Sequence, residues 1–199
     1  MQYQKEEVRA RILGSALDEF EKHGFSGAQM RRIAKGARVA TGNLYRYFKS
    51  KDEIFDEIVQ SGYMNISALI FESSQLNRRN RGDVKSIARH IAGGIMGVYS
   101  KYGRQLLIIA DKSKGSKHED FLETLCDMGC KRIKEEMSFD TTDTDDELIS
   151  LVSSGFVEGL FMILRRIKEP ERIEELINRM LVFYFDDIEN RIGRNTTQV

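Results

Sequence analysis

The sequence has little that would break helices or cross-link the chain. Proline occurs once in 199 residues, tryptophan is absent, and two cysteines are too few for a disulfide framework. The scarcity of breakers argues against a β-sandwich or barrel, which needs a turn about every ten residues. No apolar run approaches the about 18 residues of a membrane span, and residues 1–7 lack a signal-peptide core. These absences predict a soluble, mostly helical protein of the cytoplasm.

Motifs for catalysis and metal binding are also missing. The chain has no nucleophile–base set, no phosphate-binding loop and no His-Glu-x-x-His pattern. Cys126 and Cys130 lie four residues apart with His118 upstream, which leaves a metal or redox site as one interpretation. Zinc needs four ligands and no further cluster is visible, so a buried pair of small apolar side chains is the favoured alternative. We therefore expect no enzyme activity, no metal and no cofactor.

The distribution of charge is uneven although the net charge is zero. Residues 1–53 contain eleven basic and seven acidic side chains, and the remainder of the chain has the opposite excess. Residues 27–51 carry seven basic side chains and no acidic one. Such a stretch is typical of a surface that binds a polyanion, and a solvated face is the alternative interpretation.

Apolar residues at helical spacing predict an all-α fold of about nine helices. Capping boxes at Ser50–Glu53 and Thr144–Glu147 mark two helix starts, and residues 77–82 read as a linker before Asp83, which can cap the next helix. Pro170 suits the first turn of the last helix. The predicted helices cover residues 5–22, 26–37, 41–48, 50–75, 84–101, 103–112, 119–137, 144–168 and 170–191.

The second and third helices have the pattern of a helix-turn-helix motif, in which the second helix crosses the first and presents one face outward. Six small or apolar residues fit its internal positions: Ile33, Ala34, Ala37, Val39, Leu44 and Tyr47. The outward face carries side chains that suit phosphates and base edges: Thr41, Asn43, Tyr45 and Arg46.

These residues make the family recognisable. Gly24-Phe25, Ile33-Ala34 and the run VATGNLYRYFKSKDEIF from Val39 to Phe55 resemble the N-terminal DNA-binding domain of TetR-family (tetracycline-repressor-like) transcriptional regulators over about residues 7–60. The resemblance implies an all-helical homodimer that binds operator DNA and a C-terminal domain that binds a small-molecule effector. By position, the family's DNA contacts fall on Gln29, Arg31, Thr41, Gly42, Asn43, Tyr45, Arg46, Tyr47 and Lys51.

Two positions depart from the family pattern. Arg38 stands where the turn normally has glycine, so we expect a left-handed backbone at a cost of roughly 1 kcal/mol. Gln29 stands where many members have serine or threonine, and glutamine is a poorer N-cap. Both departures affect the geometry of the turn rather than the class of protein.

The C-terminal part carries the predicted effector and dimer sites. We divide the chain into a helix-turn-helix domain, residues 1–50, and a helical effector-binding and dimerisation domain, residues 51–199, linked by the helix from Ser50. A small apolar or amphipathic effector is expected because methionine and aromatic side chains concentrate in the middle helices. The candidate pocket walls are Met96, Tyr99, Phe121 and Phe156. Apolar stripes on the last two helices predict a homodimer interface of Val152, Gly155, Gly159, Ile173, Ile177, Met180 and Tyr184.

Two function classes remain open at this point. One is a ligand-responsive DNA-binding regulator, most often a repressor that its effector releases from the operator. The other is a helical binding or scaffold protein that keeps this fold without binding an operator. The basic stretch together with Thr41, Asn43, Tyr45 and Lys51 favours the first class.

Overall fold

The structure, a computed structural model, describes residues 2–79 and 83–193. Within these ranges it contains helices and no strand, which confirms the predicted all-α fold of about nine helices. Of the predicted linker, residues 77–82, residues 77–79 belong to a helix instead, and residues 80–82 lie outside the described residues. The helices are α1 Gln2–Gly27, α2 Met30–Gly36, α3 Thr41–Leu44, α4 Lys51–Arg79, α5 Val84–Asp111, α6 Phe121–Lys134, α7 Asp143–Arg166, α8 Pro170–Phe185 and α9 Ile188–Ile192.

Several predicted helix boundaries are wrong, among them one in α5 and one in the C-terminal half of the chain. The predicted helices 84–101 and 103–112 form one element, α5, in which Tyr102 bends the backbone (φ −127°, ψ 20°) without ending the hydrogen-bonded run. The predicted last helix, 170–191, instead ends at Phe185, and Asp187 adopts a left-handed backbone (φ 54°) before α9 begins. Neither Tyr102 nor Asp187 is a strong sequence signal for its role, because both residue types are ordinary in helices.

Side-chain caps begin three of the long helices. At α5 the Asp83 carboxylate accepts the N–H of Ser86 at 3.0 Å, as predicted. The N-cap of α7 is Thr142, whose hydroxyl accepts the backbone N–H of Asp145, while the Asp145 carboxylate accepts the N–H of Thr142 at 2.9 Å. The predicted box at Thr144–Glu147 is therefore displaced by two residues, because the segment repeats the same threonine–acid spacing. At α4, Ser50 accepts the N–H of Glu53 at 3.1 Å, as predicted.

By its contacts the chain falls into two compact units. The first unit comprises Met1–Met64 and Lys101–Phe121, and the second comprises Asn65–Ser100 and Leu122–Val199. The units do not coincide with the division at residue 50, because α4 contributes residues to both. That division remains a prediction about function.

The first unit is built on buried aromatic rings. Phe55 lies 5.0 Å from Phe20 and 5.1 Å from Phe25, centroid to centroid and edge to face in both pairs, and Phe20 and Phe55 are fully buried. Gly36 lets α1 and α2 pack closely, since a Cβ at this position would collide with the Ser15 hydroxyl. This packing fixes the helices on which the basic stretch is placed.

The second unit is organised around α7. Ile149 packs in a buried cluster with Ile133 and Ile192. By length and composition α7 is apolar enough to cross a membrane, yet a core helix passes the same test, and 33% of its most apolar window is buried. Several of its remaining apolar side chains lie on the surface of the chain, including Leu151, which is 71% exposed.

Candidate DNA-binding surface and effector cavity

Helices α2 and α3 form a helix-turn-helix with a tight connection. The backbone N–H of Val39 bonds to the carbonyl of Ala34 at 3.0 Å, and the N–H of Arg38 bonds to that of Lys35 at 3.1 Å. Leu44 is fully buried, as its internal position predicts. The motif thus has the crossing geometry in which α3 presents an outer face.

The turn contains the strained residue that the sequence predicts. Arg38 has φ 56°, in the left-handed region that glycine adopts without penalty. Arg38 and Asp187 are the positive-φ residues other than glycine in the described chain. The backbone therefore keeps the shape of the glycine turn, while an exposed guanidinium group occupies the turn.

The first helix of the motif is capped from another helix. Gln29 makes no side-chain cap, as expected, but its N–H donates to the Glu19 carboxylate of α1 at 3.1 Å. The same carboxylate accepts Arg32 Nε at 2.6 Å, and Arg32 Nη2 donates to the Gly27 carbonyl at 2.6 Å. Sequence reasoning missed Glu19, because its partners lie 10 and 13 residues away along the chain.

The recognition helix is shorter than predicted. Regular α-helix covers Thr41–Leu44, and the next residues continue in i→i+3 bonds such as Arg46 N–H to the Asn43 carbonyl at 3.1 Å. Tyr45 is 50% exposed and Arg46 is exposed, whereas Tyr47 is half-buried. A Cβ on Gly42 would meet nothing within 4 Å, so the surface there is open to a large ligand.

The seven cations of the basic stretch divide into two groups. Five are exposed and make no ion pair with the described residues: Arg31, Lys35, Arg38, Arg46 and Lys49. The other two, Arg32 and Lys51, are committed to neighbouring backbone carbonyls. A polyanion at this surface would therefore meet the positive charge of the five exposed cations.

Lys51 holds the segment that precedes α2. Its ammonium group donates to the Phe25 carbonyl at 2.6 Å and lies 4.4 Å from the centroid of the Phe25 ring. Such a contact is a cation–π interaction as well as a hydrogen bond. The assignment of Lys51 to a DNA phosphate stays a prediction, and the structure gives this side chain an intramolecular partner.

Comparisons with known proteins now identify the domain. Residues 12–58, which include the helix-turn-helix, match the family described as bacterial regulatory proteins, tetR family. Residues 12–58 are therefore a DNA-binding domain of the type found in this family. It is 36% identical over 86 residues to the HTH-type transcriptional regulator AcrR of Shigella flexneri, covering 43% of this chain and 39% of AcrR.

A second relative and a solved structure extend the comparison. The HTH-type transcriptional repressor SCO4008 of Streptomyces coelicolor is 34% identical over 62 residues, which cover 31% of this chain and 32% of SCO4008. The chain thus spans about a third of the length of the curated relatives it matches. The structure of AibR in complex with isovaleryl coenzyme A and operator DNA superposes with a TM-score of 0.59 at 15% identity, covering 87% of this chain and 97% of AibR. That likeness shows a shared fold over most of the chain.

The second unit contains a cavity of about 570 Å³. Side chains from α4 to α9 line it, and most of them are aliphatic or aromatic. Of the four predicted wall residues, Phe156 lines this cavity and the other three are not among the lining residues. Met96 is buried elsewhere, and Phe121 packs against Tyr63, with ring centroids 5.8 Å apart in the first unit.

Tyr99 does not line the cavity, and its hydroxyl group bonds to the backbone of another helix. Its hydroxyl donates to the Leu164 carbonyl at 2.9 Å, and burial raises the pKa of the phenol above its usual range. Sequence reasoning found aromatic residues in the middle helices but could not separate those facing the cavity from those packed between helices. Several aliphatic cavity residues, including Ile87 and Ile91, were missed because isoleucine on a helix reads as ordinary core.

The predicted dimer residues make contacts within one subunit. Ile173 and Ile177 are buried, so they offer no surface to a second copy. A Cβ on Gly155 would lie 3.1 Å from the Tyr184 hydroxyl oxygen, and one on Gly159 would lie 3.0 Å from the Met180 sulfur. Val152 packs against the Ile149 cluster. Four of the seven residues, Gly155, Gly159, Met180 and Tyr184, thus join α7 to α8 within the chain, and the assignment of the seven to a dimer interface stays a prediction.

The cysteines and His118 do not come together. Burial is the main cause that raises the pKa of the Cys126 thiol, which is typical of an unreactive structural cysteine. His118 lies in the first unit, where its Nε2 is 2.9 Å from Asp56 Oδ1. Among the residues that the structure describes, no group of three or more histidine, cysteine or acidic side chains is placed to hold a metal ion.

Proposed function

We propose that the protein is a DNA-binding transcriptional regulator of the cytoplasm, a repressor whose helix-turn-helix reads an operator and whose second unit binds a small effector. The observation that carries this function is the row of five exposed cations beside the open face of α3. Charge of this kind binds phosphates, while Arg46, Tyr45 and Asn43 supply groups that bind base edges. A scaffold protein without DNA binding has no need of an unpaired cationic surface at this position.

The comparisons support the same function. SCO4008 is named a transcriptional repressor, and AibR has been seen with both operator DNA and isovaleryl coenzyme A. The family is one of transcriptional regulators rather than enzymes. Release of the operator requires an effector that binds the DNA-free conformation more tightly than the DNA-bound one, since equal affinity shifts no equilibrium.

Operator binding is tested by selecting duplexes from a random library and titrating the best one. Arg46→Ala should lose about 1–3 kcal/mol of binding and change the sequence preference, as loss of a base contact does. Lys49→Ala should weaken all duplexes alike and lower the slope of log affinity against log salt by about one. Arg172→Ala, an exposed arginine of α8, removes the same charge outside the surface and should leave binding unchanged. Wild-type affinity in both test variants across salt would contradict the proposal.

We also propose a homodimer, through apolar side chains that one subunit leaves exposed on α7 and α8. Leu151 and Phe183 are each 71% exposed, and Met162 is 46% exposed. Side chains of this size at the surface mark a protein interface when they cluster. Leu151→Asp should shift the protein to monomer in light scattering, whereas Ser150→Asp, at the exposed neighbouring position, should remain dimeric. A dimer that survives Leu151→Asp would exclude this face.

A further inference from the structure

The connection between α1 and α2 lies against the first residue of α4. This residue is Lys51, and its Nζ lies 2.6 Å from the carbonyl oxygen of Phe25, 3.4 Å from that of Ala28 and 3.5 Å from that of Ser26. Carbonyl groups at the end of a helix have no backbone N–H partner in their own helix and carry partial negative charge. The ammonium group of Lys51 therefore caps the carbonyl end of α1 from another helix.

The three protons of this ammonium group are all directed to partners within the protein. A lysine has three N–H donors, and three carbonyl oxygens surround Lys51 Nζ. The ring of Phe25 adds a cation–π contact, with its centroid 4.4 Å from Nζ, and the Lys51 side chain is half-buried. A DNA phosphate would have to displace one of these carbonyls, which would then lose its hydrogen bond.

Lys49 provides the contrast at the same end of α4. It precedes Lys51 by two residues and carries the same charge, but its side chain is exposed and makes no ion pair with the described residues. The two lysines therefore represent the two ways in which a cation supports DNA binding. One way is contact with a phosphate, and the other is holding a reading helix in place.

The segment that Lys51 holds leads directly into the helix-turn-helix. Residues 25–28 precede Gln29 and Arg31, two of the predicted DNA contacts, at the start of α2. Helix α2 in turn contacts both α1 and the recognition helix α3. A change in the position of residues 25–28 would therefore be passed to the surface that faces the duplex.

We propose that Lys51 is a positioning residue for operator binding, which fixes the start of α2 by capping the carbonyls at the end of α1 and does not contact a DNA phosphate. Its charge is neutralised by carbonyl groups of the protein, and Lys49 supplies the phosphate contact at this end of α4. This inference rests on the proposed function, because the position of α2 matters to binding only if the motif reads a duplex.

Matched variants of the two lysines test the inference. Lys51→Met removes the cap and should lower the midpoint of thermal unfolding by about 5 °C, as the loss of a hydrogen bond to a charged group does in a chain of this size. Lys49→Met should leave the midpoint unchanged. On the selected duplex, Lys49→Met should lower the slope of log affinity against log salt by about one per bound subunit, whereas Lys51→Met should leave the slope unchanged.

The operator affinity of the folded variant separates positioning from a purely stabilising role. Well below its unfolding midpoint, Lys51→Met should bind the selected duplex about tenfold more weakly than the wild type, a loss that equals one contact of the reading surface. The factor should be the same at every salt concentration, because no phosphate contact is removed. Wild-type affinity in the folded variant would make Lys51 a stabilising residue only and would overturn the inference.

The remaining outcomes distinguish failure of the inference from failure of the proposed function. A salt slope that falls by about one in Lys51→Met would assign the residue to a phosphate, which overturns the inference and leaves the regulator intact. If Lys51→Met does not fold, Lys51→Gln decides by the same slope, because glutamine is also uncharged and keeps an N–H donor. A wild-type protein that selects no duplex overturns the proposed function, and the inference with it.

Discussion

The two units of the chain use apolar side chains in opposite ways. In the first unit, the rings of Phe20, Phe25 and Phe55 fill the space between the helices, and the helix-turn-helix is packed on that core. In the second unit, aliphatic and aromatic residues surround an opening of about 570 Å³. A filled core holds a reading surface in one geometry, whereas an open core leaves room for a ligand to change stability and conformation.

The largest expected effect compares the fully buried Phe55 with the half-buried Phe156. Phe55→Ala should destabilise the protein by about 3–5 kcal/mol, because the surrounding rings leave no space to collapse. Phe156 packs against Tyr184 and Phe185, with centroids 5.8 and 5.0 Å away, but also borders the cavity, so Phe156→Ala should cost roughly 1–2 kcal/mol. Urea unfolding of both variants gives the two values. Equal losses would mean that the second unit is packed as tightly as the first.

A second pair of variants replaces a buried alanine by leucine in each unit. Ala34, in α2, is 1% exposed in a filled core, and Ala88, in α5, is 3% exposed on the cavity wall. Ala34→Leu should cost about 1–3 kcal/mol through overpacking, whereas Ala88→Leu should be nearly neutral because the added carbons enter the cavity. Thermal unfolding measures both.

The Ala88→Leu variant also provides a functional control. Filling part of the cavity should weaken binding of a ligand there and leave operator affinity unchanged. A loss of stability at Ala88 that matches the loss at Ala34 would show that the cavity does not accept side-chain atoms.

The sequence predicts the first unit better than the second for a physical reason. The helix-turn-helix depends on local spacing, so Leu44, Arg38 and the Ser50 cap follow from residues near them in the chain. Its partners from farther away were missed: Glu19 caps α2, and Lys51 binds the carbonyl of Phe25. Nothing in a local pattern indicates contacts between residues so far apart.

In the second unit the sequence locates the apolar faces of the helices, but it does not show whether each face points toward the cavity or toward a neighbouring helix. Isoleucine and phenylalanine at helical spacing identify a buried face, but whether that face meets another helix or a cavity depends on how six helices, α4 to α9, pack. Ile173 and Ile177 are buried within the chain, and the dimer interface to which their spacing assigns them stays a prediction. Amphipathic spacing locates an apolar stripe and does not name its partner.

The smallest expected effect concerns the two left-handed residues, one in each unit. Arg38 has φ 56° in the turn of the helix-turn-helix, and Asp187 has φ 54° before α9. Aspartate tolerates this conformation better than arginine, and the Asp187 carboxylate also accepts Asn190 Nδ2 at 2.6 Å. The free energy of unfolding of Arg38→Gly should therefore exceed that of Arg38→Ala by about 1 kcal/mol. Asp187→Gly should be no more stable than Asp187→Ala. Chemical denaturation of the four variants measures these differences. Because both Arg38 variants lose the same charge, any difference in their operator affinity reports the shape of the turn, and identical stabilities would show that the turn rearranges when arginine is removed.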